Sequence, residues 1–141
     1  MSKEGDVIAL DGGVLVALAI GEELSSSIRE KIMREEVRAV SHELALTEMT
    51  YILCRSLGWK VAATKLEYLL DSGLIAIDRT AELMKDAAMI KCERALALPD
   101  CFTLATAKKN QCKALFVSME DELRREISRK PIGVEVLFLS S

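Results

Sequence analysis

The stretch Val7-Ile8-Ala9-Leu10-Asp11-Gly12-Gly13-Val14-Leu15-Val16 decides the fold class. Its first four residues are a short, unbroken apolar run, the pattern of a strand covered on both faces. Asp11 ends the run, Gly12 and Gly13 permit a tight turn, and the apolar stretch from Val14 to Ile20 can open a helix. A doubly buried strand that passes straight into a helix is the repeating unit of a parallel sheet.

The same alternation continues along the chain. Residues 22–36 show helical periodicity through Leu24, Ile28, Ile32 and Met33, and residues 37–40 can form a short strand. Residues 43–57 read as a helix stopped at Gly58, and residues 59–71 as another stopped at Gly73, since glycine suits the turn past a helix end. Leu74-Ile75-Ala76-Ile77 is a second continuous apolar strand. Helices are predicted over 80–97, 100–110 and 119–128, and strands over 114–118 and 134–139. The pattern predicts a three-layer α/β/α fold with a mainly parallel, Rossmann-like central sheet, as one domain over residues 1–141. Sites in such sheets form beyond the carboxyl ends of the strands, near the point where strand order reverses.

Composition narrows the function. With 50% hydrophobic residues among 141, the chain can fill a core and is not disordered. A net charge of −3 excludes a strongly basic nucleic-acid binder, and 4% aromatics exclude a base-stacking platform. The longest uncharged apolar run, Gly12 to Gly21, is far short of the ~20 residues that span a bilayer. Asp11 within the apolar stretch, with Glu4 and Asp6 before it, argues against a signal peptide, so a cytoplasmic protein is expected. Cys54, Cys92, Cys101 and Cys112 contain no C-x-x-C pair and His42 is the only histidine, so free thiols are expected rather than a zinc site.

Four acids stand at informative places. Asp11 directly follows the first strand. Glu48 shares one side of its helix with Leu44 and Ile52 at i, i+4 spacing, a core-facing position where an unpaired carboxylate is costly. Asp100 follows Leu98-Pro99 at a helix start, where a capping role is the ordinary reading. Glu120 follows the strand Leu115-Phe116-Val117, and Ser118 with Asp121 matches a capping box, which makes Glu120 the better candidate to face a cleft, with Asp121 as the alternative. If these four converge, mutual repulsion raises their pKa values, and a hard divalent ion, Mg²⁺ or Mn²⁺, relieves it.

Taken together these segments resemble the PIN-domain family, most nearly the VapC-type toxins. The resemblance rests on Ile8-Ala9-Leu10-Asp11-Gly12-Gly13-Val14-Leu15, on Leu46-Thr47-Glu48-Met49, and on Ala88-Met89-Ile90-Lys91 followed by Leu98-Pro99-Asp100-Cys101-Phe102-Thr103-Leu104-Ala105-Thr106-Ala107. Its last piece is Leu115-Phe116-Val117-Ser118-Met119-Glu120. It implies a Mg²⁺- or Mn²⁺-dependent endoribonuclease that hydrolyses RNA by metal-activated water, with Asp11, Glu48, Asp100 and Glu120 as catalytic and metal-binding residues. It also implies an antitoxin partner. The family usually has Ser or Thr where Gly12 stands and Asp where Glu120 stands. Those two departures motivate an alternative, a catalytically weak PIN domain that binds protein or RNA.

Other features carry plainer expectations. Lys91 is a solvated helix lysine or a phosphate contact. The basic groups Lys108, Lys109 and Lys113, and Arg124, Arg125, Arg129 and Lys130, read mostly as solvated faces. His42 reads as a cap or surface residue, and Trp59 as a core or subunit-contact residue. Tyr51, Leu66, Leu69 and Leu70 give an apolar excess that favours a homodimer and a groove for an antitoxin segment. A receiver domain with Asp78 as phosphoacceptor is a weaker possibility, because Gly12-Gly13 replaces an acid pair after the first strand.

Overall fold

The computed structural model describes residues 6–140, and Glu4, counted above among the acids ahead of the first strand, lies outside them. Five strands form the sheet: β1 (Asp6–Leu10), β2 (Val37–His42), β3 (Ile75–Asp78), β4 (Lys113–Phe116) and β5 (Val136–Phe138). Their spatial order is β3-β2-β1-β4-β5, and every neighbouring pair is parallel. The helices are α1 (Gly12–Ile20), α2 (Ser26–Met33), α3 (Glu43–Leu57), α4 (Trp59–Ser72), α5 (Thr80–Glu93), α6 (Leu98–Lys109) and α7 (Asp121–Arg129).

Successive strand residues point to opposite faces, and this divides the interior in two. Ile8, Leu10, Ala39 and Leu115 pack with Val14 and Leu15 of α1, Ile28 and Ile32 of α2, Met49 and Leu53 of α3 and Ala62 of α4. Ala9, Val40, Ala114 and Phe116 pack instead with Leu83 and Ala87 of α5, the buried run of α6 and Leu123 of α7. The continuous apolar strands are required because helices cover both sheet faces. This is the three-layer α/β/α fold, with an all-parallel sheet.

Several helix ends differ from the sequence reading. The expected helix over 22–36 is a 3₁₀ turn, Glu23–Ser25, followed by the shorter α2. The Ser25 hydroxyl has two carbonyl acceptors in reach, Glu22 O at 2.8 Å and Ala17 O at 3.2 Å, anchoring that turn beneath α1. Gly21, at φ 71°, closes α1, while Arg29 donates to Leu18 O at 2.7 Å and Lys65 to Ala19 O at 2.9 Å. Two cations thus cover the negative end of that helix. The helix expected over 80–97 stops at Glu93, because Arg94 turns inward to the carbonyls of Glu126, Lys130 and Pro131. The next helix starts at Leu98 rather than Asp100, with Pro99 in its first turn, where proline's missing N–H is harmless.

One residue-level expectation is corrected and two are narrowed. The Ser118–Asp121 capping box does not form, because α7 begins only at Asp121 and Glu120 precedes it without a side-chain cap bond. His42 caps α3 but is not on the surface, being 1% exposed. Trp59 is 64% exposed and so takes no part in the core.

Candidate active site

Strand order reverses between β1 and β4, and the acids gather at the carboxyl ends of those two strands. The Asp11 N–H donates to Leu115 O at 3.0 Å, which pins Asp11 between them. Its Oδ2 accepts the Gly13 N–H at 3.2 Å, capping α1, and the Thr103 hydroxyl lies 3.4 Å from its Oδ1. Asp100 stands in the first turn of α6 and is half-buried, while Ala97 holds the N-cap position. Glu120 immediately precedes α7, and Glu122 lies in its first turn. Asp11, Asp100, Glu120 and Glu122, with Phe116 and Ser118, are among the residues lining one cleft of about 100 Å³. Asp121 is not in that lining.

Glu48 enters from α3, beside the cleft. A Cβ at position 12 would collide with Glu48 Oε1 and would stand 3.3 Å from Ala45 O. Glycine at 12 therefore gives the Glu48 carboxylate its place next to Asp11. A Cβ at position 13 would come within 2.9 Å of Val117 Cγ2, so the second glycine lets the turn close on the end of β4.

Among the described residues, no lysine, arginine or histidine lines the cleft, and none of the five acids is ion-paired. Burial pushes the Asp100 carboxyl up to about 7, reinforced by the charges of Asp11, Glu120, Glu48 and Glu122. Burial likewise raises Asp11, against the hydrogen bonds from Gly13, Gly12 and Thr103. Glu48 is raised by burial and then by Asp11 and Glu120. A hard divalent cation is the species this all-oxygen, uncompensated donor set suits chemically. As placed, no three His, Cys, Asp or Glu side chains among the described residues form a ready-made metal cage. Asp11, Asp100, Glu120 and Glu122 share a cleft, with Glu48 beside it, rather than one ligation point.

The PIN-domain family model matches residues 8–126, which spans β1 through most of α7. The chain belongs to the PIN-domain family. Solved structures agree on the fold. VapC20 of Mycobacterium tuberculosis, a toxin that cleaves the sarcin-ricin loop, aligns with TM-score 0.63 at 15% identity over 84% of this chain and 94% of its own. VapBC2 of Rickettsia felis, bound to a DNA fragment from its promoter, aligns with TM-score 0.67 at 12% identity over 92% and 96%. FitAcB of Neisseria gonorrhoeae aligns with TM-score 0.58 at 16% identity over 94% and 97%. No curated protein matches this chain by sequence.

The other residues singled out in this PIN domain have mainly structural partners. Lys91 is exposed, as the solvated-helix reading expects, and its Nζ donates to Leu96 O at 2.7 Å; it does not line the acidic cleft. Lys108 pairs with Asp86 at 3.3 Å, and Lys109 with Asp78 at 3.2 Å and Glu82 at 3.4 Å. Asp78, also held by Asn110 Nδ2 at 2.8 Å, is a partner in this cross-link. Family membership replaces the receiver reading. Two residues near the acids, Glu122 and Thr103, had no reading of their own, and His42 was read only as a cap or surface residue. Glu122 follows Glu120 by two positions, and Thr103 is a hydroxyl three residues after Asp100 inside an apolar run. His42 is the lone histidine at a helix start. Those spacings were the available signals.

Proposed function

We propose that this PIN domain is a divalent-metal-dependent endoribonuclease that hydrolyses RNA phosphodiester bonds, and that it is the toxin of a toxin–antitoxin pair. The observation that carries the reading is the cation-free cleft of acids at the switch point, where Asp100 is held up to about 7. Asp11, Glu48, Asp100 and Glu120 would hold Mg²⁺ or Mn²⁺. When bound, that ion supplies water activation and neutralisation of phosphate charge. The chain's own residues orient the acids: Gly13 N–H and the Thr103 hydroxyl address the two Asp11 oxygens, α6 presents Asp100, and Gly12 leaves room for Glu48.

The toxin reading is supported by the likeness in fold to VapC20, VapBC2 and FitAcB. Protein partners are supported by two apolar hollows away from the acids. One, of about 590 Å³, lies between α1, α2 and α4 and includes Ile20, Met33 and Tyr68. The other, of about 670 Å³, lies on α3 and α4 and includes Tyr51, Trp59 and Leu70. We assign the Trp59 face to a second copy of this chain. No helix among the described residues is long and apolar enough to cross a membrane.

The test compares wild type with Asp11→Asn, purified in parallel, on single-stranded RNA with Mg²⁺ or Mn²⁺. Cleavage should stop with EDTA and fall at least ~100-fold in the variant, in line with losing a group that acts on the reacting phosphate. Equal cleavage by both proteins would remove the nuclease assignment. Binding of RNA without cleavage by wild type would make the chain a binding module.

A further inference from the structure

We propose that His42, acting through Thr103, is the positioning residue that holds the Asp11 carboxylate in register with Glu48 and Asp100. The inference rests on the nuclease reading of these acids.

His42 closes β2 and begins α3, and its ring is enclosed, with Phe102 at 5.9 Å between ring centroids. Its Nδ1 accepts the Ala45 N–H at 3.1 Å. A backbone amide can only donate, so Nδ1 carries no proton and the neutral ring bears its hydrogen on Nε2. Nε2 lies 2.9 Å from Thr103 Oγ1, and that N–H therefore donates to the hydroxyl. The hydroxyl proton has two acceptors within reach, Pro99 O at 3.2 Å and Asp11 Oδ1 at 3.4 Å. An ionised carboxylate is the stronger acceptor. The hydrogen bonds then run one way, from Ala45 N–H through His42 and Thr103 to Asp11. Burial, which lowers the His42 pKa to about 4, keeps the ring neutral and the direction fixed near neutral pH.

This line joins the elements that carry the acids. His42 heads α3, which bears Glu48. Thr103 lies one turn after Asp100 on α6, and Asp11 joins β1 to α1. With Gly13 N–H on Oδ2 and Thr103 facing Oδ1, both Asp11 oxygens are addressed by the fold. Capping alone does not require imidazole, since Ser, Thr, Asp and Asn cap helices better. The ring both caps α3 and reaches Thr103.

The test uses His42→Ser, which keeps a capping oxygen but is too short to reach Thr103, together with Thr103→Val and Thr103→Ser. Because the chain has one histidine, its ring nitrogens give unambiguous ¹⁵N NMR signals in metal-free protein. The expected spectrum has Nδ1 unprotonated and a hydrogen on Nε2. Asp11→Asn should shift the Nε2 signal, and the shift should disappear in the Thr103→Val background. Calorimetric Mn²⁺ affinity should fall about tenfold in His42→Ser and Thr103→Val, the scale of lost outer-shell support. Thr103→Ser should stay within about threefold of wild type on the same grounds. Circular dichroism and thermal melts select the folded variants. A folded Thr103→Val that binds Mn²⁺ like wild type, or a ring protonated on Nδ1, would overturn the proposal. If wild type takes up no Mn²⁺, the nuclease reading fails, and the NMR shift alone decides: transmission through Thr103 keeps His42 in its role, and none removes it.

Discussion

Asp100 shows how a single carboxyl links the site to stability. Its pKa is 3.8 in the ordinary state and about 7 in the fold. Between those values the folded chain holds more protons than the unfolded one, so this group's contribution to stability falls as pH rises. Asp100→Asn removes the penalty. In urea melts with EDTA at pH 7.5 it should stabilise the protein by about 1–3 kcal/mol, a range discounted for solvent screening. The gain should shrink at pH 5, and a variant no more stable than wild type at pH 7.5 would contradict the electrostatic account. His42 acts with the opposite sign: its pKa drops from 6.5 to about 4, so the stability it permits is lost as pH falls through that interval. Gly12→Ala tests a different point. The new Cβ would displace the Glu48 carboxylate and press on Ala45 O. A loss of about 1–3 kcal/mol is expected, together with a several-fold smaller rise in melting temperature on adding Mn²⁺. Helical spacing grouped Glu48 with Leu44 and Ile52 as a core-facing row, but that row is only half-buried; the buried stripe of α3 runs through Ala45, Leu46, Met49, Thr50 and Leu53. The His42–Thr103 pair was not legible, since 61 residues separate two side chains whose meeting depends on how β2 and α6 pack.

Strands were easier to read than helix ends. A doubly covered strand declares itself in four or five adjacent residues, as Val7 to Leu10 does. The end of α5 depends instead on Arg94, whose guanidinium reaches Glu126 O at 3.2 Å, Lys130 O at 2.8 Å and Pro131 O at 2.6 Å. Nothing near Arg94 in the sequence announces those acceptors. The start of α7 was misread for a similar reason: a local Ser-x-x-Asp pattern was present, but the helix begins after it. Arg94 is buried, and its loss leaves several carbonyls without their donor. Arg94→Ala should cost about 2–3 kcal/mol in urea unfolding. Arg94→Lys should recover only part of this, because an ammonium lacks the planar fork. A loss within measurement error would show that the end of α7 is held by other contacts.

For the whole molecule, the sheet's position between two apolar interiors was legible in the alternation of strands and helices, and so was the edge that carries the acids. Which copy or partner covers the outer helices was not, since an exposed apolar side chain looks like a core residue in sequence. Trp59, the single tryptophan, reports on that question. Its fluorescence should be that of a water-exposed indole in dilute protein and should shift to the blue as concentration rises, in step with dimer mass by sedimentation. A dimer without the spectral shift would place the contact elsewhere. The two sides of the acidic cleft also differ mechanically. Every residue of α6 from Cys101 to Ala107 is buried, whereas α7 buries only Leu123 and Glu126. In hydrogen–deuterium exchange, the α6 amides should be labelled only through global opening, and those of α7 much sooner. Asp100 then sits at the tip of a stiff rod, and Glu120 on the side of the cleft that can adjust to what enters.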